Sequence, residues 1–292
     1  AHKIEWYNMY VSSNSKGIRY DNSISTEYIG ADTYTQDDEA RSTSTTQSVL
    51  ATNLKGTHHL TKDFVVDWSG IFSQAKEEDP DRTYVTLTNT VQSDIDGSLW
   101  NANKNIMKTL PKSSERRYQH NKDTDWAGYV NLSYDTHFGD DVDALWKAGA
   151  QYRRKERSNR YYSYIFNPAD ISQQLDGNGL EQFGSINWVC KTPYSQASQL
   201  NYDSKEHIGG AYAMVTFRSK IGELNAGFRA EHTNQIYTML QHFRNMGQVG
   251  EQSYWDYLPS ASIKWTPTKK MNVRLSYYRS INRPGFYEIV PY

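Results

Sequence analysis

The chain has 292 residues, of which 37% are hydrophobic and 22% charged, with a formal net charge of -1 and a mean hydropathy of -0.82. The longest nearly apolar stretch, Ala211 to Phe217, is far shorter than the roughly 18–20 residues that a membrane-spanning helix requires. A chain so close to neutral lacks the positive field that attracts phosphates, so no nucleic-acid partner is expected.

The apolar side chains are unusual in kind. Leu, Ile, Val and Phe total 53 of 292 residues, below the roughly 20% under which disorder becomes a reasonable expectation. The high net charge that accompanies disorder is absent, however. The 23 Tyr and 8 Trp residues supply much of the apolar surface, and such rings suit interfaces better than a dry core.

Apolar and polar side chains alternate with a two-residue period along most of the chain, whereas helical periodicity is rare. In residues 126–134, for example, the even positions are Trp, Gly, Val, Leu and Tyr, and the odd positions are Ala, Tyr, Asn and Ser. In chain order, the alternating segments are 2–12, 18–29, 42–58, 64–72, 126–134, 146–153, 206–218, 224–231, 255–265 and 271–278. The pattern predicts about ten antiparallel β-strands.

The connections between these segments are of two kinds that alternate strictly. Short turns are predicted near residues 13–17, 59–63, 137–143, 219–222 and 267–270, and long loops near 30–41, 76–123, 159–205 and 239–252. Strands of roughly 10 residues or more, joined in this way, are typical of an outer-membrane β-barrel with short periplasmic turns and long extracellular loops.

A soluble antiparallel sandwich or up-and-down barrel would also alternate. Two features weigh against it. Unstructured loops longer than about 15 residues are uncommon in soluble domains, and two of the predicted loops are far longer. Aromatic residues such as Trp6, Trp126, Trp146 and Trp265 also lie towards strand ends, where the aromatic girdles of membrane barrels are found. The predicted fold class is therefore all-β, an antiparallel transmembrane β-barrel segment.

The topology gives a further expectation about completeness. With ten strands and periplasmic short turns, both termini would lie at the extracellular rim, whereas a complete barrel has periplasmic termini. At this residue count per strand, a barrel of about 22 strands would need on the order of 640 residues. We therefore expect residues 1–292 to be one partial barrel domain, without the plug domain and the remaining strands of the barrel.

Residues near the C-terminus carry a family resemblance. They are Leu258-Pro259-Ser260, Leu275-Ser276-Tyr277 and Asn282-Arg283-Pro284, preceded by Gly227-Phe228-Arg229-Ala230-Glu231. This combination resembles TonB-dependent receptors of the Bacteroidetes outer-membrane barrel type. The resemblance implies a protein of the outer membrane of a Gram-negative cell that takes up a scarce or bulky ligand, such as a siderophore, vitamin, glycan or peptide.

The resemblance also implies partners. In such receptors TonB acts on a plug domain inside the barrel, lipid surrounds the barrel, and a surface lipoprotein is a further expected partner. We expect no cofactor and no enzymatic activity, because the eight His are scattered and the chain lacks a Gly-x-Ser-x-Gly or His-Glu-x-x-His motif.

Three groups of side chains are functional candidates. Rings and a guanidinium in the predicted loop 159–205 could stack on a flat ligand, although they could equally pack the loop on itself: Tyr161, Tyr162, Tyr164, Trp188, Tyr194 and Arg160. Charged residues at polar strand positions are expected to face the lumen and a plug: Arg229, Glu231, Arg274, Lys147, Arg153 and Asp67. The third group is a run of carboxylates. We interpret it as part of a solvated loop, and the alternative interpretation is a weak Ca²⁺ site: Glu77, Glu78, Asp79 and Asp81.

Two functional hypotheses follow. The first is the barrel of a TonB-dependent receptor. The alternative is a soluble or surface-exposed β-rich module that recognises glycans through its aromatic loops.

Overall fold

The computed structural model describes residues 1–25, 33–92, 106–139, 141–170, 186–192, 200–240, 248–268 and 270–290. In chain order, the elements are β1 (His2–Ile24), β2 (Thr33–His59), β3 (Phe64–Gln92), β4 (Ile106–Phe138), β5 (Val142–Pro168), β6 (Trp188–Thr192), β7 (Tyr202–Ser219), β8 (Gly222–Met239), β9 (Val249–Thr268), β10 (Met271–Tyr278) and α1 (Phe286–Ile289).

The ten strands form one antiparallel sheet in chain order, except that the short β6 pairs only with the far end of β5. This arrangement confirms the predicted all-β antiparallel fold. Within the described residues β1 and β10 are the two edges of the sheet and do not pair with each other, so the sheet is open, as expected for part of a larger barrel.

The strands are longer than the sequence predicts. Strands β2 to β5 have 27, 29, 33 and 27 residues, whereas about 9–11 residues are enough for a strand to cross a bilayer. Much of the predicted loops 30–41, 76–123 and 159–205 is therefore strand, and β9 begins inside the predicted loop 239–252. Polar residues occupy both faces along most of these extensions, so little alternation of apolar side chains reveals them. An exception is the buried pair Val85 and Leu87, on one face of β3.

The predicted turn at residues 13–17 is wrong. Strand β1 pairs with β2 without interruption from His2 opposite His58 to Ile24 opposite Gln36, so two predicted strands are one. Its start lies beside a short turn, where the His59 amide donates to the Ala1 carbonyl at 2.9 Å. The expectation that both termini lie at the rim of the long loops is therefore wrong for the N-terminus.

The two faces of the sheet differ in chemistry. We call the side that carries Trp126, Val130, Leu132, Trp146 and Phe228 the apolar face, and the other side the polar face. These five side chains are exposed, Trp126 to 56%, because the sheet is a single layer and nothing covers them. Along the first half of β5, exposed residues of the apolar face alternate with less exposed residues of the polar face.

Aromatic rings mark both ends of a band on the apolar face. Towards the short turns, Phe64 contacts Tyr134 edge-on, with 6.3 Å between ring centroids. Towards the long connections, Phe72 contacts Trp126 at 4.3 Å. On β4 this apolar band runs from Trp126 to Tyr134, which is nine residues and agrees with the roughly 9–11 residues of a tilted spanning strand. The described part of the chain contains no helix that is long and apolar enough to span a membrane.

Within the apolar band, small residues on adjacent strands leave an open groove of about 550 Å³. Ala148, Ala213 and Ala226 form its floor, with the rings of Trp146 and Phe228 beside them. A groove with so few polar groups is suited to hydrocarbon chains and has almost no hydrogen-bonding partners for a polar ligand.

A charge placed in the middle of the apolar band is expected to be costly if that face contacts lipid. We predict that Val130→Arg lowers the free energy of unfolding in lipid vesicles by about 2–4 kcal/mol, because the bilayer midplane cannot solvate a guanidinium. Phe138→Arg, on the same face but at the end of β4, should cost only about 0–1 kcal/mol. Urea titration in vesicles measures both values. Equal costs at the two positions would contradict the assignment of the band.

Candidate functional site

All six charged residues that the sequence predicts to face the lumen lie on the polar face. Asp67 and Arg229 belong to one row of cross-strand neighbours, in which Asn131, Gly149 and Tyr212 lie between them. The other four occupy positions of the same face on β5, β8 and β10: Lys147, Arg153, Glu231 and Arg274. The two-residue period was sufficient to place them, because one face of each strand is apolar.

A glycine allows the row to form a hydrogen-bonded chain. The Tyr212 hydroxyl donates to Asn131 Oδ1 at 2.9 Å, and Asn131 Nδ2 donates to Asp67 Oδ1 at 2.9 Å. The tyrosine reaches Asn131 by lying across Gly149, where a Cβ would come within 2.6 Å of the ring. Any larger residue at Gly149 would push the Tyr212 ring away and break its hydrogen bond to Asn131.

The centre of the polar face is a buried carboxylate. Glu231 is only 5% exposed and pairs with two guanidinium groups, those of Arg229 and Arg283. Gln151 Nε2 also donates to it, at 3.3 Å. Removing this carboxylate would leave two partly buried cations without their partner, which is destabilising.

Arg283 comes from a segment that folds back over the polar face. We call residues 279–290 the C-terminal segment. Its Arg283 Nε donates to Thr233 Oγ1 at 2.9 Å, and its Pro284 carbonyl accepts from Gln235 Nε2 at 3.2 Å. Gln235 also donates to Glu206 at 2.6 Å. Thr233 and Gln235 are almost fully buried, so the segment covers polar side chains that are satisfied by hydrogen bonds.

An aromatic anchor holds the other end of the segment. Phe286 packs with Tyr202, Met239 and Val290 in one of the two small buried apolar clusters of the described residues. The guanidinium carbon of Arg157 lies 5.7 Å from the Phe286 ring centroid, which is within cation–π range. Burial against this cluster raises the pKa of the Tyr202 hydroxyl.

Arg157 is itself fixed by a carboxylate. Its Nε and Nη2 donate to the two oxygens of Asp123, both at 2.6 Å, a bidentate geometry that raises the pKa of Arg157. Between the C-terminal segment and strands β5 and β7 lies a cavity of about 350 Å³, lined by Arg153, Lys155 and Glu206 among others. This cavity is polar and small.

The charges of the polar face differ in how far they are neutralised. Arg153 forms a bidentate pair with Asp125, at 3.1 and 2.9 Å from its Nε, and Asp67 accepts from Asn131. Lys147 and Arg274 form no ion pair with any residue that the structure describes. These two cations are therefore available to groups outside the sheet.

The aromatic candidates do not form a loop cluster. Arg160, Tyr161, Tyr162 and Tyr164 lie within β5, and Arg160 Nη2 binds the Asp203 carboxylate at 2.9 and 3.1 Å. Successive strand residues point to opposite faces, so the three tyrosines cannot hold one flat ligand together. Burial raises the pKa of Tyr161, and the nearby Arg117 opposes that rise.

The remaining two aromatic candidates, Trp188 and Tyr194, do not lie in β5 with the three tyrosines. Trp188 lies in β6 and packs against the buried cluster of Val85, Leu87 and Ile186. Tyr194 lies outside the described residues. Among the candidates, Arg160 and Trp188 make contacts within the strand extensions, and the role of the whole set in ligand binding stays a prediction.

The acidic segment lies inside strand β3 instead of in a loop. Glu77 and Glu78 are successive strand residues, so their side chains point to opposite faces of the sheet. Asp81 accepts from Arg116 Nε at 3.0 Å, and this pairing lowers the pKa of Asp81. In the described part of the chain no three His, Cys, Asp or Glu side chains are placed to share a metal ion. The geometry gives the Ca²⁺ alternative no support.

The sequence did not reveal the role of Arg283. The Asn-Arg-Pro motif was visible, but its guanidinium meets Glu231 across a separation of 52 residues. No local pattern encodes such a contact. The one feature of the sequence that indicates such a contact is Glu231, a carboxylate at a strand position that is expected to face the interior and to need a cationic partner.

Loss of the Glu231 carboxylate is expected to release the C-terminal segment. We predict that Glu231→Gln speeds amide hydrogen exchange in residues 279–290 by about tenfold or more, because a charge-assisted hydrogen bond contributes about 1.5–3 kcal/mol. Arg274→Gln, a polar-face variant without an ion pair to lose, serves as the control and should leave exchange unchanged. Mass spectrometry measures the exchange rates. Similar exchange in the two variants would show that Glu231 does not hold the segment.

Solved structures with a similar chain path include the ferric citrate transporter FecA in its unliganded form, with a TM-score of 0.40, 12% identity, and coverage of 94% of this chain and 40% of that one. The siderophore receptor PiuA from Acinetobacter baumannii has a TM-score of 0.38 and 8% identity, with coverage of 91% of this chain and 47% of that one. The open form of the ferric-catecholate import receptor Fiu from E. coli K12 has a TM-score of 0.36 and 10% identity, with coverage of 94% of this chain and 54% of that one. The chain thus spans between 40% and 54% of the length of these structures.

Sequence comparison shows the family directly. No curated protein matches the chain significantly. The sequence profile of the outer membrane protein beta-barrel family, however, matches residues 80–292. That region begins within β3 and contains all later elements, including the C-terminal segment. The chain therefore belongs to the outer membrane protein beta-barrel family, and its location is the outer membrane.

Proposed function

We propose that the chain forms part of the barrel of a TonB-dependent receptor that takes up a scarce or bulky ligand. Family membership supports the barrel. The residue motifs around Leu258-Pro259-Ser260 and Asn282-Arg283-Pro284 support the receptor type, of the kind found in Bacteroidetes. The observation that carries the proposal is the polar face, where a charged network fixes a folded segment on the side of the sheet opposite to lipid.

The soluble binding module does not account for the apolar face. Side chains such as Trp126, Phe228 and Trp255 are about half exposed or more on a single-layered sheet. A soluble sheet buries its apolar side against a second layer, and none of the described residues supplies one. Lipid supplies that cover in an outer-membrane barrel.

A plug domain inside the barrel would find specific partners on the polar face. Lys147 and Arg274 are its most suitable contacts, because their charges have no partner among the described residues. The other four already have partners. Asp67, Arg153 and Glu231 bond to neighbouring strands or to the C-terminal segment, and Arg229 pairs with Glu231 on its own strand. We therefore assign those four to shaping the lumen wall.

Ligand capture is assigned to the strand extensions beyond the apolar band. The extensions of β2 to β5 project on the side of the long connections, which is extracellular when the short turns are periplasmic. Exposed rings there, such as Tyr162, offer flat surfaces to a ligand or to a surface lipoprotein. TonB would act through the plug and not through this chain.

Uptake can be tested without knowing the ligand. Cells that express the protein containing this chain, cells with its gene deleted, and cells lacking TonB are grown in the same medium, and mass spectrometry compares which solutes disappear. We expect at least one solute to be depleted only when both proteins are present and the proton gradient is intact. Depletion that persists without TonB or after the gradient has collapsed would refute active uptake.

A further inference from the structure

An arginine-lined pocket lies on the strand extensions, well beyond the apolar band. Arg41 on β2, Arg82 and Tyr84 on β3, and Arg117 on β4 line a cavity of about 340 Å³. Arg82 follows Phe72, the last ring of the apolar band on β3, by ten residues. At about 3.3 Å per residue and a tilt near 40°, that spacing places the pocket roughly 25 Å beyond the band. Phospholipid head groups extend only about 5–8 Å beyond the hydrocarbon core on each side, which is well short of the pocket.

Two of the three guanidinium groups are held in place by neighbours. Arg41 pairs with Glu39, and its guanidinium carbon lies 4.9 Å from the centroid of the Tyr84 ring. Arg117 Nη2 binds Glu115 at 2.7 Å. Each of these salt bridges uses only part of the five N–H donors of a guanidinium, so donors remain for another acceptor.

Arg82 has no such neighbour. It forms no ion pair with any residue that the structure describes, and it lies directly opposite Arg117 in the pairing of β3 with β4. Like charges at directly opposite strand positions repel and destabilise a sheet. The register of β3 and β4 shifts between Asp79 and Arg82, and such β-bulges redirect side chains, often beside binding sites.

The charge balance favours an anion. Of the three arginines that line the pocket, Arg41 pairs with Glu39 and Arg117 with Glu115, so the charge of Arg82 has no ion-pair partner among the described residues. An acceptor with several oxygens would satisfy the remaining donors and relieve the repulsion between Arg82 and Arg117. A neutral ligand can accept hydrogen bonds from these donors but leaves the repulsion between the two cations in place.

We propose that the pocket of Arg41, Arg82 and Arg117 binds an oxyanion group, a carboxylate or a phosphate, of a soluble ligand. The inference narrows the ligand class of the proposed uptake function and takes its biological meaning from it. Binding itself needs no TonB and no transport. Failure of uptake and failure of anion binding are therefore separate results.

Calorimetry on the detergent-purified protein that contains this chain tests the site. The probes are tricarballylate for carboxylates, pyrophosphate for phosphates, and neutral tricarballylamide as the uncharged control. We expect at least one oxyanion to bind and the triamide not to bind. Arg82→Gln should weaken oxyanion binding by about tenfold or more, because a charge-assisted hydrogen bond and an uncompensated charge are both lost.

Arg116→Gln is the matched control. Arg116 is adjacent to Arg117 but points to the opposite side of β4, where it binds Asp81, so its loss should change affinity less than about twofold. The absence of binding by either oxyanion, or equal weakening in the two variants, would overturn the proposal.

Stability in the absence of anions separates binding from a structural role. Because Arg82 repels Arg117, Arg82→Gln should leave the thermal unfolding temperature unchanged or raise it. A fall in that temperature, without any probe present, would mean that Arg82 supports the fold and would contradict the proposal.

Discussion

A strand that crosses hydrocarbon must satisfy every backbone N–H and C=O through a neighbouring strand, because lipid offers no other partner. The rest of this structure follows that constraint. Within the apolar band the strands pair in order and without irregularity. The register shifts of β2, β3 and β5 all lie in the extensions, and that of β10 lies beside its turn. Bulges are tolerated only where water can reach the unpaired groups.

The same constraint separates the two faces. Once the pairing of the strands is fixed, a two-residue period sends alternate side chains to lipid and to the interior. The interior side of this sheet is crowded with hydrogen bonds that run between strands, from Asp67 to Tyr212 and from Glu206 through Gln235 to the C-terminal segment. Glu231 connects β5 and the C-terminal segment to β8, because Gln151 and Arg283 both donate to it.

The sequence predicted the features that depend on alternation. It gave the antiparallel fold, the short turns at 59–63, 137–143, 219–222 and 267–270, and the face of residues such as Lys147 and Arg229. It failed where both faces of a strand are polar, as in residues 114–123, since pairing without apolar contrast leaves no periodic signal. It also failed at 13–17, where a run of Ser, Asn and Gly reads as a turn but pairs with β2 throughout.

Long-range contacts were the other gap. The opposition of Arg82 to Arg117 and the contact of Arg283 with Glu231 depend on register and on a chain reversal that local sequence does not encode. Both involve arginines, and both lie in regions that were expected to be loop or corner. Charged residues in such regions are where a structure adds most to what a sequence shows.

One face of this sheet contacts lipid and the other does not. Spin labels placed in turn at each position from 126 to 134, in a variant with the single Cys190 replaced by Ser, test it directly in lipid vesicles. We expect collisions with oxygen to peak at the even positions and collisions with a water-soluble nickel complex to peak at the odd ones. Labels that meet both reagents equally at every position would contradict it.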